Sequence, residues 1–400
     1  MKVEYGFSQN LKREWILCLA VFLVLRLIAS TLGYMTGSGP NPEPLSGGPI
    51  YMATDSLLYE DRLSHLFINI WQRWDTAWYL KIAAFDYDPT DGTASFSPLY
   101  PWLIRGLGAL TGNFLLSALI ISNLAALAVF ILFYEVAFAE GLTSGQAMMA
   151  VLSLALFPST FFFFAAYSDS LFLALALGAW LAARRRYWLA AGILGGLATL
   201  ARLQGGLLMP ILGLMWLRDA ADFRILEPVS WRKSINATRN LSWLSALLPG
   251  LAFFGWNLYL RAAGLGSVTG TLFAHWGIRT VPPWSGLGLF MNRLFNTPRV
   301  FVDYVDLAAL TFILILLILG LRRLDPLLSL YAWLSLSLFF MRGTPPHLLD
   351  SFSRYMLAVF PAFILTGFIK HRAARVILWM ISFLLQLLLL MGFLDWRWIA

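Results

Sequence analysis

The chain has 400 residues, of which 59% are hydrophobic and only 12% are charged, and its mean hydropathy is +0.72. Soluble domains carry about 25% charged residues, so this composition excludes a soluble enzyme, a disordered chain and a disulfide-stapled secreted module. The formal net charge of +8 does not indicate a nucleic-acid partner, because basic residues collect in the cytoplasmic loops of membrane proteins.

Apolar segments that can cross a membrane recur along the whole chain. The first runs from Trp15 to about Met35, is long enough to span the hydrocarbon, and is interpreted as an uncleaved first span. Others lie near 114–138, 145–165, 168–183, 187–203, 204–217, 243–261, 301–321, 327–341, 355–370 and 375–394. The sequence therefore predicts an all-α integral membrane protein, one polytopic domain over 1–400 with about eleven transmembrane helices.

Basic residues between these segments predict the orientation. With the N-terminus inside, the inside connections receive Arg184–Arg186, 218–239, Arg322–Arg323 and 370–375, where lysine and arginine are dense. We expect a multi-pass protein (of the inner or plasma membrane in a bacterium) with a cytoplasmic N-terminus and an external C-terminus. Two long segments, 36–113 and 262–300, then lie outside, and any catalytic site should face outward.

The first external segment, 36–113, carries eight of the 21 acidic residues. Asp75, Tyr79 and Asp86 share one face of a helical segment that is too polar to span. Three tryptophans at i, i+3 and i+7 predict that this helix lies in the membrane interface: Trp71, Trp74 and Trp78. A partly desolvated Asp75 suits general-base work, although an ordinary solvated aspartate on an interfacial helix fits the same pattern.

The stretch FSPLYPWLIRGLG (96–108) is apolar, too short to span and broken by Pro98 and Pro101. It fits a re-entrant segment that closes a cavity beneath the external segment. It fits the start of the second span equally well.

Charged residues also occur at the outer ends of later spans. Asp169 begins one apolar segment, where Ser168 could cap the first helical turn, and Arg202 and Gln204 end another. Charges at such positions usually point into a cavity. The alternatives are dipole compensation for Asp169 and snorkelling to the interface for Arg202.

Two further sites carry cations. Arg26 lies near the middle of the first span, where we expect it to pair inside the bundle or to contact a lipid phosphate. The segment 341–361 holds His347, Arg354 and Tyr355, and guanidinium groups near the outer leaflet suit phosphate binding. An ordinary basic loop is the alternative.

Taken in order, these blocks resemble a known family. Arg73 to Tyr87, followed by FSPLYP (96–101), is similar to the WD…IA..GY…FFPLYP signature of the GPI mannosyltransferase II (PIG-V-type) family. The runs YSDSLF (167–172) and LARLQG (200–205) resemble that family's YSES-LF…TRPQG pattern, and Arg26 and SRY (353–355) are placed similarly. The resemblance extends from about Val21 to about Pro361.

The resemblance implies a GT-C-type helical bundle with interfacial helices in the first external segment. Such an enzyme moves mannose from a polyprenyl-phosphate donor to an acceptor hydroxyl at the external face, with inversion. It implies Asp75 as the catalytic base. The predicted substrate-binding residues are Arg26, Trp74, Tyr79, Asp86, Tyr100, Asp169, Arg202, Gln204, His347, Arg354 and Tyr355.

The sequence departs from the family pattern at three positions: Asp86 replaces glycine, Asp169 replaces glutamate and Leu203 replaces proline. These differences concern acceptor identity more than fold. The acceptor stays open between a GPI precursor, an inositol lipid, a cell-wall glycan and a protein.

No nucleotide-binding motif appears near the external segments, so a nucleotide-sugar donor is not expected. The partners that the resemblance implies are a polyprenyl-phosphate sugar and a lipid or glycan acceptor, besides the membrane lipids. The acid-rich segment permits a divalent metal but shows no ligand spacing, so we predict no metal site and no required cofactor. The alternative function is a transporter or flippase of a lipid-linked sugar, although the chain shows no pair of related halves. A non-catalytic scaffold would not need a buried Arg26.

Overall fold

The computed structural model describes residues 10–36, 64, 67–221, 241–343, 351–397 and 399. Nearly all of this part is helical. The helices are α1 (Asn10–Thr36), α2 (Asp75–Phe85), α3 (Leu99–Thr111), α4 (Phe114–Ala139), α5 (Ser144–Ala155), α6 (Asp169–Arg184), α7 (Trp188–Ala201), α8 (Leu208–Ala221), α9 (Leu248–Ala262), α10 (Val268–Trp276), α11 (Pro283–Asn296), α12 (Phe301–Gly320), α13 (Pro326–Phe339), α14 (Phe352–Met356), α15 (Phe360–Thr366) and α16 (Arg372–Leu394). Short 3-10 segments lie at Asn69–Trp71, Gly92–Ser95, Thr160–Phe163, Leu203–Leu207 and Leu241–Leu247.

Five segments of the described chain are long and apolar enough to cross a membrane. They are Arg13–Thr36, Phe114–Ala139, Leu241–Ala262, Phe301–Gly320 and Arg372–Leu394. All five coincide with predicted spans. The other six predicted spans coincide with shorter helices or broken segments, so the number eleven stays a prediction.

Two of the predicted spans, 145–165 and 355–370, are interrupted by non-helical residues, which corrects the prediction from the sequence. Segment 145–165 is helical only to Ala155 and continues as the 3-10 turn Thr160–Phe163, beyond Pro158. Segment 355–370 is divided between α14 and α15, with Pro361 in the first turn of α15. Proline lacks a backbone donor and clashes with the preceding turn, which explains both interruptions.

The core is built around α6, which packs against α4 on one side and α7 on the other. Helix α7 in turn packs closely against α9 and the 3-10 segment before it, because its glycines expose bare backbone. A Cβ atom at Gly192 would collide with the backbone carbonyl of Ser245. Small residues of this kind let membrane helices approach closely.

Both ends of α6 carry charged side chains that form ion pairs. At its C-terminal end, Arg184 lies 3.4 Å from Glu140 and 3.9 Å from Asp325, and Arg218 donates to the same Asp325 at 2.7 Å. At its N-terminal end lies Asp169. Sixteen helical residues separate the ends by roughly 24 Å, so the ion pairs around Arg184 are remote from Asp169.

A small antiparallel ladder connects the second predicted external segment to the region before α14. Strand β1 (Arg279–Thr280) pairs with β2 (Arg342–Gly343), with Thr280 opposite Arg342. Val281 donates its backbone N–H to the Met341 carbonyl at 2.8 Å and extends the pairing. This ladder fixes where Arg342 lies.

The tryptophan stripe predicted on one interfacial helix is wrong. Trp71 ends a 3-10 segment and is fully buried, and α2 begins only at Asp75. Trp74 precedes the helix in a left-handed backbone conformation (φ 49°), with its ring edge toward Trp396. Trp78 alone belongs to α2, and it stacks on Phe96. The three rings therefore point to three different environments.

Candidate active site

Four separate stretches of the chain bring four charged side chains together. Asp75 is the first residue of α2, and Asp169 is the first residue of α6. Arg354 lies in α14, and Arg202 follows the end of α7. Both carboxylates lie at helix N-termini, where the helix dipole favours negative charge.

Arg354 connects the two carboxylates. Its Nη1 donates to Asp75 Oδ2 at 2.8 Å, and its Nε and Nη2 donate to Asp169 Oδ2 at 3.1 and 2.9 Å. All three of its nitrogens are therefore engaged. The guanidinium also lies 4.4 Å from the ring centroid of Tyr167, which fixes its plane.

Burial by itself would lower the pKa of the Arg354 guanidinium. The carboxylates of Asp169 and Asp75 outweigh that effect and raise this pKa well above its ordinary value. Arg354 is thus permanently charged. Its charge therefore compensates both carboxylates, of which that of Asp169 is buried and that of Asp75 is partly exposed.

The two carboxylate oxygens of Asp75 differ in their hydrogen bonding. Its Oδ2 accepts the bond from Arg354, whereas within the described ranges its Oδ1 receives no hydrogen bond. Its side chain is 30% exposed, against 7% for that of Asp169. The open oxygen can therefore accept a proton from a group that enters the site.

The backbone before Asp75 is held in an unusual conformation. Trp74 has φ 49° and ψ −115°, and non-glycine residues in such regions cluster at active sites. The Tyr167 hydroxyl stabilises this turn: it accepts from the Asp75 N–H at 3.3 Å and donates to the Arg73 carbonyl at 3.2 Å. Reasoning from the sequence did not assign Tyr167 a role, although it lies in the YSDSLF run.

Asp169 closes the other side of the site. Besides Arg354 it pairs with Arg202, whose guanidinium carbon lies 5.3 Å from the Tyr355 ring centroid. A narrow pocket lies at this point. It is lined by Asp169, Phe172, Leu173, Arg202, Gln204, Arg354, Tyr355, Leu357 and Ala358.

Tyr79 and Tyr100 lie behind the site. The Tyr79 hydroxyl bonds to Ser168 Oγ at 2.8 Å, and its ring contacts that of Tyr100 edge-on at 4.8 Å. Ser168 therefore bonds to Tyr79 and makes no side-chain bond that caps α6, contrary to expectation. Burial, helped by the charge of Asp75, raises the pKa of the Tyr79 phenol to about 12. Both tyrosines are neutral supports of the site.

Asp306, which lies in α12, also supports the site, although it was not among the residues predicted from the sequence. Its carboxylate is 1% exposed and accepts the backbone N–H groups of Phe352 and Ser353 at 3.0 and 2.8 Å. These residues begin α14, the short helix that carries Arg354. An ionisable residue inside a span is by default a functional candidate, and that signal was available in the sequence.

Other predicted residues lie elsewhere. Asp86 follows the far end of α2, about 16 Å along the helix axis from Asp75, and pairs with Arg105 at 3.1 Å in an exposed position. Arg26 donates to the Phe164 carbonyl at 3.3 Å and lies 4.7 Å from the Trp71 ring, so it is paired inside the bundle. His347 lies outside the described residues.

In the part of the chain that the structure describes, no group of three or more His, Cys, Asp or Glu side chains is arranged to hold a metal ion. The site is a pair of carboxylates and a pair of guanidiniums with aromatic walls. Such a set can accept a proton at one carboxylate and stabilise an anion at the arginines.

No protein-family model matches the chain, and no curated protein matches it. Among solved structures it is similar to the oligosaccharyltransferase of Archaeoglobus fulgidus in its apo form, with 14% identity and a TM-score of 0.47, over 95% of this chain and 56% of that one. The oligosaccharyltransferase AglB of the same organism, in complex with an inhibitory peptide and a dolichol-phosphate, shows 13% identity and a TM-score of 0.45 over 94% and 56%. The chain spans little more than half the length of these structures, and the likeness is distant.

Proposed function

We propose that this protein is a membrane-embedded glycosyltransferase that moves a hexose from a polyprenyl-phosphate donor to an acceptor hydroxyl, with Asp75 as the general base. One observation carries the proposal. Asp75 keeps one carboxylate oxygen on the buried Arg354 and offers the other, unbonded among the described residues, at a 30% exposed side chain.

The proposed reaction is a single displacement. The open oxygen of Asp75 removes the proton of the acceptor hydroxyl while that hydroxyl oxygen attacks the anomeric carbon from the face opposite the phosphate. The bond between the anomeric carbon and the phosphate oxygen breaks, and both electrons leave with the phosphate. The products are an inverted glycoside and polyprenyl phosphate, and the proton stays on Asp75 until water removes it.

The cations have separate tasks in this proposal. Arg354 orients Asp75, and its three nitrogens are all engaged by the two carboxylates. Arg202 lies at the pocket and uses only Nη1 on Asp169. It is therefore better placed than Arg354 to receive the charge of the leaving phosphate.

The membrane explains why such a site is built among helices. A polyprenyl chain stays in the bilayer and presents its sugar phosphate at the surface, so the enzyme must work at the interface. The basic run Arg184–Arg186 lies at the opposite end of α6 from Asp169, which fits an external site and a cytoplasmic basic end.

The sugar and the lipid come from the sequence resemblance to GPI mannosyltransferases. We accordingly propose mannose and polyprenyl-phosphate-mannose as first choices. The acceptor is a lipid or glycan hydroxyl, with inositol lipids and mannosides as the probes to try first.

The test uses the purified chain in detergent with polyprenyl-phosphate-mannose, and with phosphatidylinositol or an alkyl mannoside as the acceptor probe. We expect release of polyprenyl phosphate, and a fall in rate of about 10²–10⁴-fold in Asp75→Asn, because general-base catalysis contributes that much. Asparagine still accepts the Arg354 bond, so the fold should persist.

The matched control is Asp86→Asn, which changes the same chemical group at the other end of the same helix. It should retain the wild-type rate. Full activity of Asp75→Asn would refute the assignment of the base. Absence of polyprenyl phosphate release by the wild type with every probe would refute the proposed function.

A further inference from the structure

Four cations lie close together at one end of two long spans. Arg322 and Arg323 follow the end of α12, Lys370 precedes α16, and Arg372 begins it. All four residues are exposed. The Arg323 guanidinium lies 5.6 Å from the ring centroid of Phe368, so the two turns adjoin. These four residues form the basic patch.

The two turns are held in place by packing and by a hydrogen bond. A Cβ atom at Gly320, the last residue of α12, would collide with the side chain of Leu365, so the end of α12 lies directly against α15. Arg375 Nη1 donates to the Ile369 carbonyl at 2.9 Å and ties the first turn of α16 to the residues before it. The backbone positions of the basic patch are therefore set by the fold.

No carboxylate among the described residues neutralises the basic patch. None of its four side chains forms an ion pair with an aspartate or glutamate in that part of the chain. The acidic residue next to it in the sequence, Asp325, is already engaged: its Oδ2 accepts from Arg218 at 2.7 Å, and its Oδ1 accepts the Leu327 N–H at 2.8 Å. The first turn of α16 holds no acidic residue either, so the positive end of the helix dipole adds to the charge of the patch.

Four neighbouring arginines at this face are neutralised, in contrast to the basic patch. They lie around Asp325, which follows Arg323 by two residues. The pairs are Arg184 with Glu140, Arg185 with Glu135, Arg186 with Asp219 and Arg218 with Asp325, with N···O distances of 3.4, 3.7, 2.5 and 2.7 Å. The uncompensated positive charge is therefore local to the basic patch and is not shared by these arginines.

The basic patch lies at the opposite face of the membrane from the candidate active site. Helix α16 has 23 residues and is about 34 Å long. At its other end the Leu394 carbonyl accepts two hydrogen bonds from Arg73, two residues before Asp75, at 3.2 and 3.0 Å. Because α12 and α16 are both long and apolar enough to span, their ends, and with them the basic patch, lie at headgroup depth.

We propose that the basic patch binds the headgroup of an anionic phospholipid in the leaflet on that side of the membrane. Clustered lysines and arginines at the ends of spans attract negatively charged headgroups. Exposed apolar residues continue from the patch into the bilayer, where they can contact acyl chains: Leu321, Val376, Ile377 and Met380. A lipid therefore satisfies both surfaces, whereas a soluble anion satisfies only the cations. The inference does not depend on the proposed function.

The test measures binding of phosphatidylglycerol to the purified full chain in detergent by native mass spectrometry. Phosphatidylcholine with the same acyl chains and inorganic phosphate are the comparison probes. The wild type should prefer phosphatidylglycerol, and inorganic phosphate at the same concentration should not displace it. Arg322→Gln/Arg372→Gln should weaken phosphatidylglycerol binding by about 25-fold, because each cation near an anionic surface contributes roughly a factor of five. It should leave phosphatidylcholine binding unchanged.

The matched control is Arg185→Gln/Arg186→Gln, which removes the same charge from the same face. Each of these two arginines has a carboxylate partner, so phosphatidylglycerol binding should stay at the wild-type level. Arg322→Lys/Arg372→Lys keeps the charge of the basic patch and should keep most of the affinity. This variant shows that a loss in Arg322→Gln/Arg372→Gln comes from charge and not from misfolding.

Equal affinity of the wild type for the two lipids would overturn the inference. An equal loss in the two glutamine variants would do so as well, because binding would then follow net charge alone. Displacement of phosphatidylglycerol by inorganic phosphate would also contradict it, since the patch would then be a site for a soluble anion. A loss in the lysine variant as large as that in Arg322→Gln/Arg372→Gln would exclude a site based on charge.

Discussion

Replacing Asp306 with asparagine should reduce turnover without touching the reacting groups. The Asp306 carboxylate accepts two backbone N–H groups at the start of α14, from Phe352 at 3.0 Å and Ser353 at 2.8 Å. Asparagine retains one oxygen but turns an amide donor toward the other N–H. The first turn of α14 must then shift, and Arg354 shifts with it.

The magnitude follows from those two bonds. A hydrogen bond to a charged group contributes about 1.5–3 kcal/mol, and a buried donor left unsatisfied costs a similar amount, so Asp306→Asn should lower the free energy of unfolding by about 2–3 kcal/mol. A displacement of about 1 Å in a positioning group can cost about 10²-fold in rate. We therefore expect kcat to fall by about that factor, with KM for the donor nearly unchanged.

The control is Asp303→Asn in the same helix. Asp303 also accepts a backbone N–H, that of Val300 at 2.9 Å, but this bond caps α12 and does not touch α14. Thermal denaturation in detergent and the rate of polyprenyl phosphate release are measured for both variants. Both should be less stable, and only Asp306→Asn should lose turnover. An equal loss of kcat in the two variants, or an unchanged kcat in Asp306→Asn, would refute the reasoning.

Three further predictions concern stability. Asp169→Asn removes the buried carboxylate that Arg354 and Arg202 share, and should lower the free energy of unfolding by about 3–5 kcal/mol. Thermal or denaturant unfolding measures this, and a decrease no larger than that caused by replacing an exposed aspartate would contradict it. Asp86→Gly should raise the melting temperature, because Asp86 has a left-handed backbone conformation (φ 73°, ψ −174°) that glycine adopts without strain. The expected gain in the free energy of unfolding is about 1 kcal/mol. A lower melting temperature would contradict this prediction. Since burial raises the pKa of Tyr79 to about 12, its stabilising contribution is complete below pH ~10 and is lost as pH rises through about 12. Tyr79→Phe should show a smaller loss of melting temperature over that alkaline range, and an identical loss would contradict the assignment.

The membrane class and the long spans could be read from the sequence because both depend on local composition. Continuous apolar runs such as Phe114–Ala139 have one stable solution in a bilayer, the helix. The beginning of α6 at Asp169 could be read for the same reason. Shorter apolar segments are interrupted by prolines, as at Pro158. There the end of a helix depends on contacts with neighbouring helices, and the sequence alone predicted a helix that extends beyond its observed end.

Some residues of the candidate site were predicted from the sequence, but the ion pairs between them were not. Asp75, Asp169, Arg202 and Arg354 were all named from the sequence. Which arginine holds which carboxylate depends on packing between distant segments, and so does the choice of Tyr167 as the support of Asp75. The tryptophan stripe failed for a related reason: its spacing suits a helix, but the chain turns at Trp74.

The separation of the paired residues along the chain bears on how the protein is made. Asp169 and Arg202 are 33 residues apart, whereas Arg354 is 185 residues from Asp169 and 279 from Asp75. Chains emerge from the ribosome N-terminus first, so Asp169 can pair with Arg202 long before Arg354 exists. Until α14 emerges, Asp75 lacks Arg354, the cation that pairs with it among the described residues. A chain that stalls before this point would hold an incomplete charge network, without the ion pairs that Arg354 makes with Asp75 and Asp169.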